Sequence, residues 1–271
     1  TIQFLISKNI PFNITTKEKI PENIIEMMKG HSHCYGQISI LTTDEKLRKK
    51  LMKNGAETDQ LFENIKNLSK NNIFSICRID PIIPFINDNK NTLEEIIKRS
   101  KDCGAKHVIA SIMDINISTK EEIFTEIEKE FGSPIKIKLE KLYTEKIGTY
   151  LHSKIDYRKN VFSLLRNLCD KYNLTFALCM EFEKKDGEIY GLNKEFCSSV
   201  NCEGINIPIY KRNGEKFEPA CDCNGNCIGC KFPLCGIEEI AQGRVKNNNY
   251  KGFDFYNYLR WSKKQKGLFE K

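Results

Sequence analysis

Five short apolar runs recur along the chain, each followed by a turn and then by a stretch with helical spacing. They are IPFNITTK (10–17), YGQISILTT (35–43), NIFSICRIDP (72–81), KHVIASIMD (106–114) and LTFALCMEF (174–182). Rich in β-branched residues and bounded by Gly, Asn, Asp or Pro, they read as buried strands. Amphipathic stretches fall between them, at 19–29, 43–53, 58–70, 92–103, 119–131 and 157–172. In 58–70, for example, Leu61, Ile65 and Leu68 share one helical face. Asp44, Thr92 and Thr119 stand near helix starts, where a side-chain oxygen can take up free N–H groups.

Strand–helix alternation of this kind predicts parallel βα units. The expected fold class is α/β, a partial or complete TIM-like barrel, with a doubly wound sheet as the alternative. Either architecture puts its chemistry at the C-terminal ends of the strands. Those ends are polar: Thr15, Thr16 and Lys17; Ser39, Thr42 and Thr43; Arg78 and Asp80; Ser111 and Asp114; Cys179 and Glu181. Any one of them could be a loop anchor. Together they suit a zwitterionic, anion-bearing small molecule.

Composition narrows the field modestly. The net charge of +7 fits a nucleotide or nucleic-acid partner and fits a lysine-rich protein with no such partner equally well. No stretch resembles a signal peptide, and no apolar run reaches the roughly 18 residues of a membrane span. A cytoplasmic protein without membrane contact is the expectation. Twelve cysteines in that compartment point to metal ligands, catalytic groups or small buried hydrophobes rather than disulfides.

Several motifs carry a family resemblance. NITTK, QISILTTDEKLRKKLMKNGAE, CRIDPIIPFINDN and GAKHVIASIM follow one another in order. They resemble the radical S-adenosylmethionine (SAM) superfamily and, within it, the spore photoproduct lyase-like or DNA repair photolyase-like group. The resemblance covers roughly residues 1–180, and RIDPIIPFIND is its most specific part. Phe85 stands where the group usually has Gly. The resemblance implies a partial (βα) barrel, SAM as cofactor, and a [4Fe–4S] cluster on a C-x3-C-x2-C loop after the first strand. It implies Lys17 and Ser39 as SAM contacts. Arg78 could fork onto a carboxylate or form a salt bridge to Asp80 or Asp114. Residues 1–120 contain no such cysteine loop, because Cys34, Cys77 and Cys103 lie far apart. Beginning at Thr1 without Met, the chain reads as the later part of a longer protein whose first two strands and cluster loop precede it, the alternative being a degenerate member that has lost radical chemistry. The complete protein is then an enzyme, fed by an external electron donor. It forms a 5′-deoxyadenosyl radical that takes hydrogen from a substrate, a nucleic-acid lesion being one class. This chain alone is expected to be inactive.

Beyond Phe182 the rhythm stops, which divides the chain into a barrel part (1–182), a Cys-rich extension (183–242) and a basic aromatic tail (243–271). The extension holds Cys221, Cys223, Cys227, Cys230 and Cys235 in C-x-C-x3-C-x2-C-x4-C spacing among Gly and Asn. Crowded thiols on a pliable backbone suit an auxiliary [4Fe–4S] cluster or zinc, with Cys179, Cys197 or Cys202 able to complete a site. The superfamily's habit of auxiliary clusters in such extensions favours iron–sulfur. His31 and His33 flank Cys34 before a strand, away from the expected rim, and His107 and His152 read as structural. The tail suits either base stacking or docking against the barrel. The rival to an enzyme is a non-catalytic iron–sulfur or zinc module that binds a partner or nucleic acid. A zinc-dependent hydrolase is a third reading.

Overall fold

The computed structural model describes residues 1–225, 230–232 and 235. The barrel part begins with α1 (Ile2–Ser7), β1 (Asn13–Thr16), α2 (Glu22–Lys29) and β2 (Tyr35–Ser39). It continues through α3 (Glu45–Leu51), α4 (Thr58–Lys70), β3 (Phe74–Ile82), α5 (Lys90–Asp102) and β4 (His107–Ile112). The next segment adds β5 (Ile115–Asn116), α6 (Lys120–Phe131), α7 (Ser133–Leu142), β6 (Tyr143–Ile147) and β7 (Tyr150–Ser153). Then come α8 (Ile155–Lys171) and β8 (Thr175–Leu178). The five strands read from the sequence are β1, β2, β3, β4 and β8, and they form one all-parallel sheet in that order.

The pairing register sorts the sheet into two faces. Ile38, Ile40, Cys77, Ile79, Val108, Ala110, Ile112, Phe176 and Leu178 join one apolar core with Ile25, Met28, Leu61, Ile65, Leu68, Leu93, Ile96, Ile97 and Leu165 of the helices. Gly36 lies within this packing, and a β-carbon there would collide with the side chain of Leu68, so the glycine lets α4 lie close on the sheet. Asp44 caps α3 through bonds from the Lys46 and Leu47 N–H groups, as expected. Helix α5 starts earlier than the apolar pattern suggests: Asn89, not Thr92, caps it. At Thr119 the hydroxyl donates to the Asn116 carbonyl instead of capping α6.

The crossover from β4 to β8 holds more than one helix. There α6 and α7 bury Phe124, Ile127 and Leu139 against Ile115 and Tyr143, a second small core. It sits beside the antiparallel sheet β5-β7-β6.

Past β8 the chain forms a hairpin of β9 (Phe182–Lys185) and β10 (Glu188–Gly191), turning at Asp186 and Gly187, both at positive φ. An Asp-Gly pair between strands is a strong hairpin signal. Helix α9 (Asn193–Phe196) and a two-stranded sheet of β11 (Tyr210–Asn213) and β12 (Lys216–Pro219) follow. The chain divides into two compact units: Thr1–Asn206 with Arg212–Glu218, and Ile207–Lys211 with Pro219–Lys271. The first unit therefore runs past residue 182 and takes in the start of the extension. Among the described residues no helix is long and apolar enough to cross a membrane.

Candidate functional site

Parallel strands carry side chains of paired residues on the same side, so the register defines the sheet's second face. It bears Tyr35, Gln37 and Ser39 of β2, Ile76, Arg78 and Asp80 of β3, His107, Ile109 and Ser111 of β4, then Thr175, Ala177 and Cys179 at β8. Where the helix-covered face is apolar, this one is mostly polar. Its members bond to one another. Arg78 donates from Nη1 to Gln37 Oε1 at 3.0 Å. From Nη2 it donates to Asp80 Oδ2 at 2.6 Å and to Cys179 Sγ at 2.9 Å. Asp80 accepts a further bond from the Ser111 hydroxyl. One guanidinium thus ties together side chains of β2, of β3 and of the residue after β8.

The N-terminal end of this face is closed by residues from the extension. Ser198 bonds in both directions with Phe176 of β8, its N–H to the carbonyl and its hydroxyl from the N–H. The following turn brings Glu203 under β2, where its carboxylate accepts from Tyr35 Oη at 3.1 Å and from Gln37 Nε2. Burial and the neighbouring Glu203 charge push Tyr35 up to about 12. His107 is fully buried behind the turn, and burial lowers its pKa to about 4, so it is neutral. Its Nε2 donates to the Cys202 carbonyl at 3.1 Å, and Nδ1 lies 2.8 Å from the Thr175 hydroxyl, which donates to the Lys106 carbonyl at 3.2 Å. The structural reading of His107 is the one the molecule uses.

The predicted residues separate clearly. Ser39, Arg78 and Cys179 meet on the polar face. Ser39 is 4% exposed and its hydroxyl makes no bond among the described residues. Arg78 makes the expected salt bridge to Asp80. Lys17 follows the last residue of β1 and is exposed; its carbonyl accepts from Ala56 N–H at 2.9 Å. Other polar strand ends serve the scaffold. Thr42 Oγ1 accepts from the Asp44 N–H, and Thr43 donates to Glu95. Glu181 accepts from the Ile112 N–H and pairs with the buried Arg158. Phe85 adopts φ 65°, the conformation that makes Gly usual at its position. Asn87 pins the same loop, accepting from Ile83 N–H and donating to the carbonyls of Leu41 and Pro81.

The cysteines divide too. Cys34, Cys77 and Cys169 are buried in the helix-side core, and burial pushes Cys77 up to about 12. The Cys202 thiol lies within electrostatic reach of Cys179 and Cys197. In the second unit, Cys221 is raised to about 11 by burial, by a bond with Cys223, and by Cys235 and Cys230 nearby. Cys227 lies outside the described residues. Among the described residues no three ligating side chains converge as a metal site. Cys223, Cys227 and Cys230 have C-x3-C-x2-C spacing in the sequence. Tyr35, Gln37 and Glu203 were missed. The first two are legible in the alternation Tyr35-x-Gln37-x-Ser39, whereas nothing local marks Glu203.

No family model matches the chain, and no curated protein matches it. Solved structures do match it, among them three of spore photoproduct lyase. Two are single-residue variants, with 8% and 9% identity, TM-scores of 0.52 each, and coverage of 66% and 65% of this chain against 55% and 54% of theirs. The third, complexed with dinucleoside spore photoproduct, has 9% identity, a TM-score of 0.51, and coverage of 66% of this chain and 54% of its own. The chain thus spans about half the length of the structures it matches. With its five parallel strands in sequential order and helices over one face, the molecule has the fold of the radical SAM partial barrels, as spore photoproduct lyase has it.

Proposed function

We propose that the polar face of the sheet binds SAM as part of a radical SAM enzyme. The observation that carries this reading is the Ser39 hydroxyl at the C-terminal end of β2, nearly buried and unpartnered among the described residues, beside the Arg78–Asp80 pair. A ligand with a carboxylate, an amine and a sulfonium finds complementary groups there. The Ser39 hydroxyl can donate to its carboxylate, and Asp80 offers negative charge to a cationic centre. Lys17, exposed beyond β1, is the second candidate for that carboxylate by resemblance. Ser39 and Asp80 would hold SAM, and SAM together with a [4Fe–4S] cluster would supply one-electron reductive chemistry directed at a substrate C–H bond.

By resemblance, the ligands of that cluster would be three thiolates in C-x3-C-x2-C spacing. The substrate class we favour is nucleic acid, with which the net positive charge is compatible. An external reductant is required by the electron count. The C-terminal thiols suit an auxiliary cluster or zinc.

The test is equilibrium dialysis of SAM against the 271-residue chain, purified anaerobically and supplied with iron and sulfide. Saturable binding that weakens about tenfold in Ser39→Ala, the worth of one charge-assisted hydrogen bond, is the expected result. Absence of binding, or binding indifferent to both Ser39→Ala and Asp80→Asn, rejects the site.

A further inference from the structure

The polar face is held from below by a turn that has nothing to do with the strands' own sequence. At residues 201–204 the backbone is fixed many times over. Glu203 N–H donates to Asn201 Oδ1 at 2.9 Å, and Gly204 N–H to the Asn201 carbonyl at 3.2 Å. Asn201 Nδ2 donates to the Ile205 carbonyl at 2.8 Å. Gly204, at φ 69°, lies so near the His107 ring that a β-carbon would strike it. Glu203 is therefore delivered by a rigid element, which is what precise placement of a carboxylate demands.

Its contacts have a direction. A carboxylate can only accept, so Gln37 must turn its NH2 end toward Glu203. The carbonyl end then faces Arg78 and accepts from Nη1. Were the amide free to rotate, its NH2 could face the guanidinium, donor against donor. Tyr35 keeps the carboxylate in place: its hydroxyl donates to the same oxygen while accepting from Asn13 Nδ2 at 3.2 Å. With Nη1 fixed, the planar guanidinium has one orientation left, and that orientation puts Nη2 between Asp80 and Cys179.

We propose that Glu203 and Gln37 are positioning residues for the rim, setting the orientation of Arg78 and through it the places of Asp80 and Cys179. Only the identity of the rim's ligand rests on the SAM reading above. The positioning itself is a property of the protein without ligand.

The experiment follows the Arg78 guanidinium by NMR in full-length protein with 15N-labelled arginine side chains, its signals assigned by their loss in Arg78→Lys. In the wild type the Nη protons exchange slowly with water. Glu203→Gln removes the charge that orients the amide, and Gln37→Leu removes the relay, so each speeds exchange about tenfold. Gln37→Glu combined with Glu203→Gln rebuilds the relay with its polarity reversed: the new carboxylate accepts from both the new amide and Arg78. This double variant restores slow exchange, whereas Gln37→Glu alone sets two carboxylates against each other and does not. The double variant also guards against a single variant that fails to fold. Unchanged Arg78 exchange in Gln37→Leu and Glu203→Gln, or a double variant no slower than its parents, overturns the inference. SAM dialysis on the same samples separates the two claims: a restored Arg78 signal in protein that never binds SAM rejects the SAM reading and leaves the positioning role standing.

Discussion

Arg158 and Glu181 form an ion pair at 3.2 Å in which both side chains are almost wholly buried, 1% and 3% exposed. Arg158 also donates to the carbonyls of Ser153 and Phe182 and to Glu145, so it joins β7, β9 and the segment after β8. Removing one partner of a buried pair strands the other charge. Arg158→Met should therefore destabilise the fold by about 3–5 kcal/mol, read as a shift in the urea midpoint. Glu181→Gln keeps an acceptor for the Ile112 N–H and leaves Arg158 its Glu145 partner, so it should cost far less.

The same residue gives a pH signature. Burial outweighs the ion pair and raises Glu181 to about 7. A carboxyl with a folded pKa above its unfolded value binds its proton more tightly when folded. Its contribution to stability is greatest below pH 4.5 and declines as pH rises toward 7. His107 acts oppositely. Lowered by burial to about 4, it contributes stability present above pH 6.5 that is lost as pH falls toward 4. Between pH 4.5 and 6.5 the two slopes oppose each other. Urea titrations of Glu181→Gln should show a steeper loss of stability on acidification than the wild type, and a flat difference between the two across that window would contradict the assignment.

At Phe85 the backbone conformation suits glycine, while the ring lies 6.1 Å from Tyr157 and beneath Lys138 Nζ at 5.7 Å. Phe85→Ala loses these contacts and keeps the backbone strain. Phe85→Gly loses the contacts and releases the strain. The glycine variant should be the more stable of the two by about 1 kcal/mol, measured by thermal or urea unfolding.

Gly36→Ala should destabilise the protein by about 1–3 kcal/mol, because the added methyl meets Leu68 in a filled core. Combining it with Leu68→Ala should cost less than the sum of the two, since each change makes room for the other. Strict additivity would show that α4 does not press on β2 at this point.

Peptide-resolved alkylation of the native protein should divide the thiols by position. Cys34, Cys77 and Cys169 should stay unmodified until unfolding, while exposed Cys202 and Cys223 react first. Early labelling of Cys77 would mean that β3 does not lie in the sheet centre.

The central sheet was legible because a parallel strand covered on one face and lining an interior on the other carries few charges and many β-branched residues. All five strands have that character, and their order along the chain is their order in space. The β5-β7-β6 sheet was not seen. Its strands, such as TEKI in β6, are short, charged and half exposed, with no apolar run to announce them. The β9–β10 hairpin could have been found from Asp186-Gly187. For the site, spacing by two in Gln37-x-Ser39 and Arg78-x-Asp80 marks one face of a strand, and both pairs do share that face. Glu181 lies two residues past Cys179 yet serves Arg158 instead, because Met180 takes a left-handed φ of 52° and breaks the alternation. Glu203 could not be read at all: its partners are 166 and 168 residues away, and only the folded chain brings them together.

That long span sets an order of events during synthesis. Tyr35 and Gln37 leave the ribosome well before the residues that will close off their end of the sheet. Until the turn at 201–204 emerges and seats itself against His107, the growing polypeptide has an unsealed polar wall and an arginine with no fixed aim. The turn then closes the face as a docked plug rather than as an added strand.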